Sequence, residues 1–231
     1  MGIYSFSDNT RRRGAARLHH SMYDLDDVLP DAEIGPGTNL LISGPPMTGK
    51  RRVAFQILAR GTENGEGVIV VSTKDGAEKV FDEYDSFAPD IEDAPVGIVD
   101  CVTKQQGAGD VEDSAHVKYA SSPVDMTGIG IKLSEFLEEF YDGRGVKRNR
   151  ILLHSISTLL MYSNLQTVFR FLHVFTGRVQ SADALGLYVI DSTAHDDQTM
   201  NTLKQLFDGV IEVDEDEAGE QSITTAGIQS V

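Results

Sequence analysis

The chain has 231 residues, 40% of them apolar, enough to bury one large core, so a single domain over residues 22–231 is the simplest organisation. Its formal charge is −16, from 36 Asp plus Glu against 20 Lys plus Arg spread along the sequence, which argues against a nucleic-acid partner. One cysteine, Cys101, excludes an intramolecular disulfide; no apolar run approaches the roughly 18–20 residues that cross a bilayer, and no opening segment has signal-peptide order, so a cytoplasmic protein with no membrane partner is expected.

Residues 1–21 lack hydrophobic periodicity and carry Arg11, Arg12, Arg13 and Arg17, followed by His19 and His20. They read as a basic, flexible arm on an acidic body, either solvated or docked on an acidic surface. Leu25, Val28 and Leu29 then share one face of a short helix that Pro30 stops, and Gly35-Pro36-Gly37 turns the chain into a first strand, Thr38 to Ser43.

That strand runs into Gly44-Pro45-Pro46-Met47-Thr48-Gly49-Lys50-Arg51-Arg52. The pattern G-x-x-x-x-G-K-[ST] is a phosphate-binding loop, in which backbone N–H groups turn toward phosphate, the lysine reaches the outer phosphates and the last hydroxyl holds Mg²⁺. Seven of its eight positions are met, and Arg51 stands at the eighth. A guanidinium has donors but no lone pair, so phosphate binding is expected of residues 44–52 and the usual Mg²⁺ ligand is missing. A tight strand-to-helix turn with a surface arginine is the alternative reading. The helix that follows has its apolar stripe at Val53, Ala54, Ile57 and Leu58 and a C-cap at Gly61.

Gly67 to Thr73 is nearly all valine and isoleucine, as a strand buried on both faces should be. A helix is expected from Gly76 to Phe87, a third strand from Val96 to Val102, and a loop or flexible insertion over residues 103–127, which are rich in Gly, Ser, Gln and Asp. Helical spacing returns from Ile129 to Tyr141, a fourth strand runs from Arg150 to Ser155, and one long helix is expected from Thr158 to about Ser181. A fifth strand at Leu185 to Asp191, a helix at Asp196 to Phe207 and a terminal hairpin of Val210 to Val213 with Ser222 to Thr225 complete the chain. The cluster from Asp191 to Asp197 reads as a helix cap and a solvated first turn. Alternating strands and helices give an α/β fold, a mostly parallel sheet with helices on both faces.

With these elements in order, the chain resembles the RecA/KaiC superfamily of P-loop ATPases, in particular KaiC-like single-domain proteins of haloarchaeal type. The residues that carry this are Tyr23 to Leu29, Gly44 to Arg51, Val70 to Asp75, Ile151 to Leu160 and Phe207 to Val213. An aspartate-rich, lysine-poor composition is similar to that of salt-adapted proteins. The resemblance implies a RecA-like core and ATP or ADP as ligand. In the family an acidic pair follows the second strand and Asp-Ser ends the Walker B strand; here those positions are Lys74-Asp75 and His154-Ser155. Basic residues near the C-terminus that reach a neighbour's phosphates are absent from Ser222 to Val231. Phosphoryl transfer rests on positioning and charge stabilisation, so a pseudo-ATPase with a regulatory or signalling role, acting as a homo-oligomer or with a protein partner and without a usual Mg²⁺ site, is expected. Two alternatives stand beside it: an atypical ATPase using Asp75 and Asp191, and a ligand-free interaction scaffold.

Overall fold

A computed structural model describes residues 22–25, 28–30, 32–88, 93–107, 111–215 and 220–228. The basic arm expected over residues 1–21 lies outside the described residues. The strands are β1 (Asn39–Gly44), β2 (Gly67–Ser72), β3 (Val96–Asp100), β4 (Val117–Tyr119), β5 (Asn149–His154), β6 (Leu185–Asp191), β7 (Gly209–Glu215) and β8 (Gln221–Ala226). They form one sheet in the order β4-β3-β2-β5-β6-β1-β7-β8, parallel throughout except for the antiparallel β7–β8 hairpin. The α-helices are α1 (Lys50–Glu63), α2 (Ala77–Asp85), α3 (Met126–Glu138), α4 (Ile156–Tyr162), α5 (Leu165–Ser181) and α6 (Asp197–Lys204). Among the described residues, no helix is long and apolar enough to cross a membrane.

The central strands are buried end to end because each supplies two cores by alternation. Leu40, Ile42, Val68, Val70, Leu152 and Leu187 point to the face covered by α1 and α2, where Val53, Ile57, Val80 and Tyr84 pack. Leu41, Ile69, Val71, Leu153, Tyr188 and Ile190 point to the face covered by α3 to α6, where Phe136, Leu172, Phe175 and Leu203 pack. Burying each such side chain is worth roughly 1.5–3 kcal/mol. The strands therefore need helices on both sides, and the α/β sandwich follows.

Several expectations change. The helix whose C-cap was expected at Gly61, α1, runs through that residue to Glu63 and is capped at Asn64. The stretch read as a short helix before Pro30 is instead built, at its described residues, from a β-bridge between Tyr23 and Ile34 and a turn in which the Val28 and Leu29 amides donate to Leu25 O. The region read as a loop over residues 103–127 contains β4, whose three residues pair in parallel with β3, too few for a period of two to register. The single helix expected from Thr158 to Ser181 is two: α4 ends at Tyr162 and Asn164 caps α5, its side-chain oxygen accepting from the Thr167 N–H at 2.9 Å. The capping preference of Asn outweighs a continuous apolar stripe. Asp125 likewise caps α3, which starts three residues before the expected Ile129 and closes in a π-helical turn, Glu139–Gly143.

At the end of the sheet away from the β1 loop, Tyr23 is clamped. Its hydroxyl donates to Asn149 O and Asp183 O at 3.1 and 2.8 Å, and the Arg148 and Arg150 guanidiniums lie 4.2 and 5.5 Å from its ring centre. Burial is the main influence on its hydroxyl, whose pKa is pushed up to about 12. Arg150 is 0% exposed; its Nε donates to Glu66 Oε2 at 2.6 Å and its Nη1 to Asp24 O and Ile57 O.

Candidate functional site

The site lies at the carboxyl ends of the strands, around the loop between β1 and α1. Gly44 ends β1 where a Cβ would fall 1.9 Å from Val213 O on the neighbouring β7, so only glycine lets the two strands run side by side. The loop then passes exposed Pro46 and Met47, the latter at φ 68°, and enters α1 through Gly49 at φ 86°. Thr48 Oγ1 donates back to Pro45 O at 3.0 Å, and Gln221 Nε2 on β8 donates to Thr48 O at 2.9 Å. Gly49 gives α1 no side-chain cap, whereas Asp125, Ser155, Asn164 and Asp196 cap α3 to α6. The first-turn amides of α1 thus face the loop without a side-chain acceptor, as an anion site requires.

Lys50 is 5% exposed, and its ammonium is held between Pro45 O and the Asp191 carboxylate, the latter at 2.9 Å. Asp191 comes from the tip of β6, which lies between β1 and β5 and places it opposite Gly44. Its own N–H donates to Ser157 Oγ, which also bonds His195 Nε2, both at 2.9 Å. Of the cluster from Asp191 to Asp197 expected as a helix cap and solvated turn, Asp196 is the cap, accepting from Thr199 N at 2.7 Å, whereas Asp191 and His195 turn inward to Lys50 and Ser157.

Arg51 is neither a bare surface arginine nor a free phosphate ligand. Its guanidinium bonds Asp75 and, at 2.8 Å, Glu83 on α2, and rests 5.1 Å from the centre of the Phe55 ring, while its buried Nε has no partner. Asp75 also takes Lys79 at 2.6 Å. Burial alone would raise the Asp75 carboxyl, but its hydrogen bonds to Lys79 and Arg51 hold it below the usual carboxylate range. His154 ends β5 beside the same cavity. Burial first, then the charges of Arg51 and Lys74, push its pKa down to about 4, so its ring is neutral at pH 7.

These groups line a cavity of about 910 Å³ reached by Lys50, Arg51, Arg52, Lys74, His154 and Asp191. Asp75 stands behind its wall, bonded to Arg51. The cavity extends beyond the sequence-derived set to Thr73, Ser157, Met161 and Tyr162. Ser157, although within the stretch Ile151 to Leu160, has no role assigned by the sequence, and Gln221 lies in no motif; only their contacts with Asp191 and Thr48 in the fold give them a place. Arg51 and His154, which stand where the resemblance leads one to expect a metal-binding hydroxyl and aspartate, are a paired guanidinium and a neutral imidazole, and neither offers an anionic oxygen to a Mg²⁺. Among the described residues no group of three or more His, Cys, Asp or Glu could hold a metal ion.

The sheet order, the loop between β1 and α1 and the terminal hairpin define an α/β protein of the KaiC-like RecA fold. A KaiC-like protein from the hyperthermophilic archaeon Pyrococcus horikoshii is 17% identical, over 91% of this chain and 86% of that one, with a TM-score of 0.57. An uncharacterized protein from Pyrococcus horikoshii, solved in complex with an unknown peptide, is 16% identical, over 90% and 88% of the two chains, with a TM-score of 0.66. The chain belongs to the Family of unknown function (DUF7504), whose profile matches residues 37–213. No curated protein matches the sequence.

Proposed function

We propose that the chain is a KaiC-like nucleotide-binding protein whose loop, from Gly44 to Lys50, holds the phosphates of ATP or ADP, and that it is a pseudo-ATPase with a regulatory role. The observation that carries this reading is the buried Lys50 ammonium on the cavity wall, beside an uncapped helix N-terminus. Hydrolysis is disfavoured because both carboxylates that could act as a base are already paired, Asp75 with Arg51 and Lys79 and Asp191 with Lys50, and His154 offers no anionic charge. Arg51 organises Asp75 and Glu83 rather than gripping phosphate, which leaves Lys50, the loop amides and the rim cations Arg52 and Lys74 as the binding set. Exposed Met47, Met161 and Tyr162 around the cavity supply apolar surface that a protein partner or a second copy would cover. The acidic composition fits a salt-adapted, cytoplasmic protein of haloarchaeal type.

Calorimetry with ATP and ADP in KCl, with and without Mg²⁺, tests the proposal on the intact protein and on Lys50→Ala. Binding that survives chelation and disappears in Lys50→Ala is expected, with no phosphate release above background. Binding unaffected by Lys50→Ala would refute the site, and strict Mg²⁺ dependence with turnover would support the atypical ATPase instead. The Lys50–Asp191 pair favours one second reading, a scaffold whose loop is satisfied internally, and absence of nucleotide binding under every condition together with a defined protein partner would favour it.

A further inference from the structure

We propose that Asp191 makes this cavity select a nucleoside diphosphate over the triphosphate. The inference rests on the phosphate-binding reading of the loop and concerns which phosphate chain the loop accepts. In a loop of this pattern the lysine serves the outer phosphates. Here its ammonium has three donors, of which one goes to Pro45 O and one to Asp191 Oδ1. Asp191 sits on the strand immediately beside β1, opposite the first residue of the loop, and the bond from its N–H to Ser157 Oγ fixes the backbone that carries it. A further phosphate at Lys50 would therefore meet a carboxylate already bonded to the same ammonium.

The surrounding cations do not cancel that repulsion. Arg51, the residue next to Lys50, is committed to Asp75 and Glu83, and the neutral His154 contributes no positive charge at pH 7. Arg52 and Lys74 are exposed on the cavity rim, where solvent screens their pull on an additional phosphate, whereas Asp191, though 36% exposed, is bonded directly to the lysine that would receive it. The diphosphate needs only the loop amides and the remaining lysine donor. The triphosphate brings additional negative charge to the Asp191 side of the lysine, without a metal ligand set to offset it.

The test measures ADP and ATP affinity in EDTA for the intact protein, Asp191→Asn and Lys50→Ala, with pyrophosphate and tripolyphosphate as competitors to separate phosphate charge from base contacts. The expected result is that the intact protein binds ADP about tenfold more tightly than ATP, and that Asp191→Asn raises ATP affinity by about tenfold and ADP affinity by less than about threefold. Asp191→Ser repeats the measurement if the asparagine variant fails to fold by circular dichroism. Equal ATP and ADP binding by the intact protein, or equal gains for both in the variant, would overturn the selectivity while Lys50-dependent binding kept the loop reading intact. Binding of neither nucleotide, or binding indifferent to Lys50→Ala, would overturn both.

Discussion

Glutamine in place of Glu66 tests whether the clamp around Tyr23 holds the fold together. Glu66 accepts from Arg150 Nε at 2.6 Å and from Arg148 Nε at 3.1 Å, while Arg150 is fully buried with one guanidinium nitrogen unsatisfied. Removing the carboxylate's charge leaves a buried guanidinium without its counter-ion, a change that typically costs about 3–5 kcal/mol. In a chain of this size about 1 kcal/mol corresponds to roughly 2–4 °C in Tm, so Glu66→Gln should lower Tm by roughly 6–20 °C. Thermal and urea unfolding at one KCl concentration measure this, with Glu63→Gln as control, because the Glu63–Arg60 pair is exposed and worth less than about 1 kcal/mol. Because the Arg150 pair is buried, the loss should persist at high salt. A Glu66→Gln protein within about 1 kcal/mol of the parent would refute the argument. The double variant Glu66→Gln with Arg150→Met should recover part of the loss, since it removes the stranded charge.

Other outcomes follow from single contacts. His154, titrating near 4 when folded and near 6.5 in the unfolded chain, contributes stability that is fully present above about pH 6.5. As pH falls from there toward 4 the unfolded chain takes up a proton that the folded one refuses, and on the order of 3 kcal/mol is lost; His154→Gln should flatten that slope in urea midpoints measured from pH 7 to 4.5, and an unchanged slope would count against the burial argument. Asn164→Ala should cost about 1 kcal/mol in urea unfolding by removing the α5 cap; no loss would mean that packing alone starts α5.

How much of this was readable beforehand depended on the range of the interaction. β2, β5 and β6 were visible because both faces are buried, so their central residues had to be apolar or small; Asn149, Arg150 and His154 toward the ends of β5 are buried polar exceptions. The loop was visible because Gly44, Gly49 and Lys50 have fixed local spacing, and Gly44 is required by the passing β7 strand. Arg51 was visible as an anomaly, but its destination was not: its partners Asp75 and Glu83 come from another loop and helix, and no local rule connects them. β4 and the break at Ser163-Asn164 were hidden by shortness and by a stripe of apolar residues that continues across the break. Gln221 was invisible in principle, since it meets Thr48 across a separation of 173 residues.

That last contact makes the phosphate loop and the terminal hairpin one unit in a dynamic sense. If β8 detaches from the sheet edge, the Gln221 bond to Thr48 O is lost, and with it the side chain packed where a Cβ on Gly49 would be. Amides of the loop would then exchange with solvent at the rate at which the hairpin opens, as members of a single subglobal opening. A ligand seated in the loop would slow deuterium uptake in β8, at the far end of the sequence, without touching that strand.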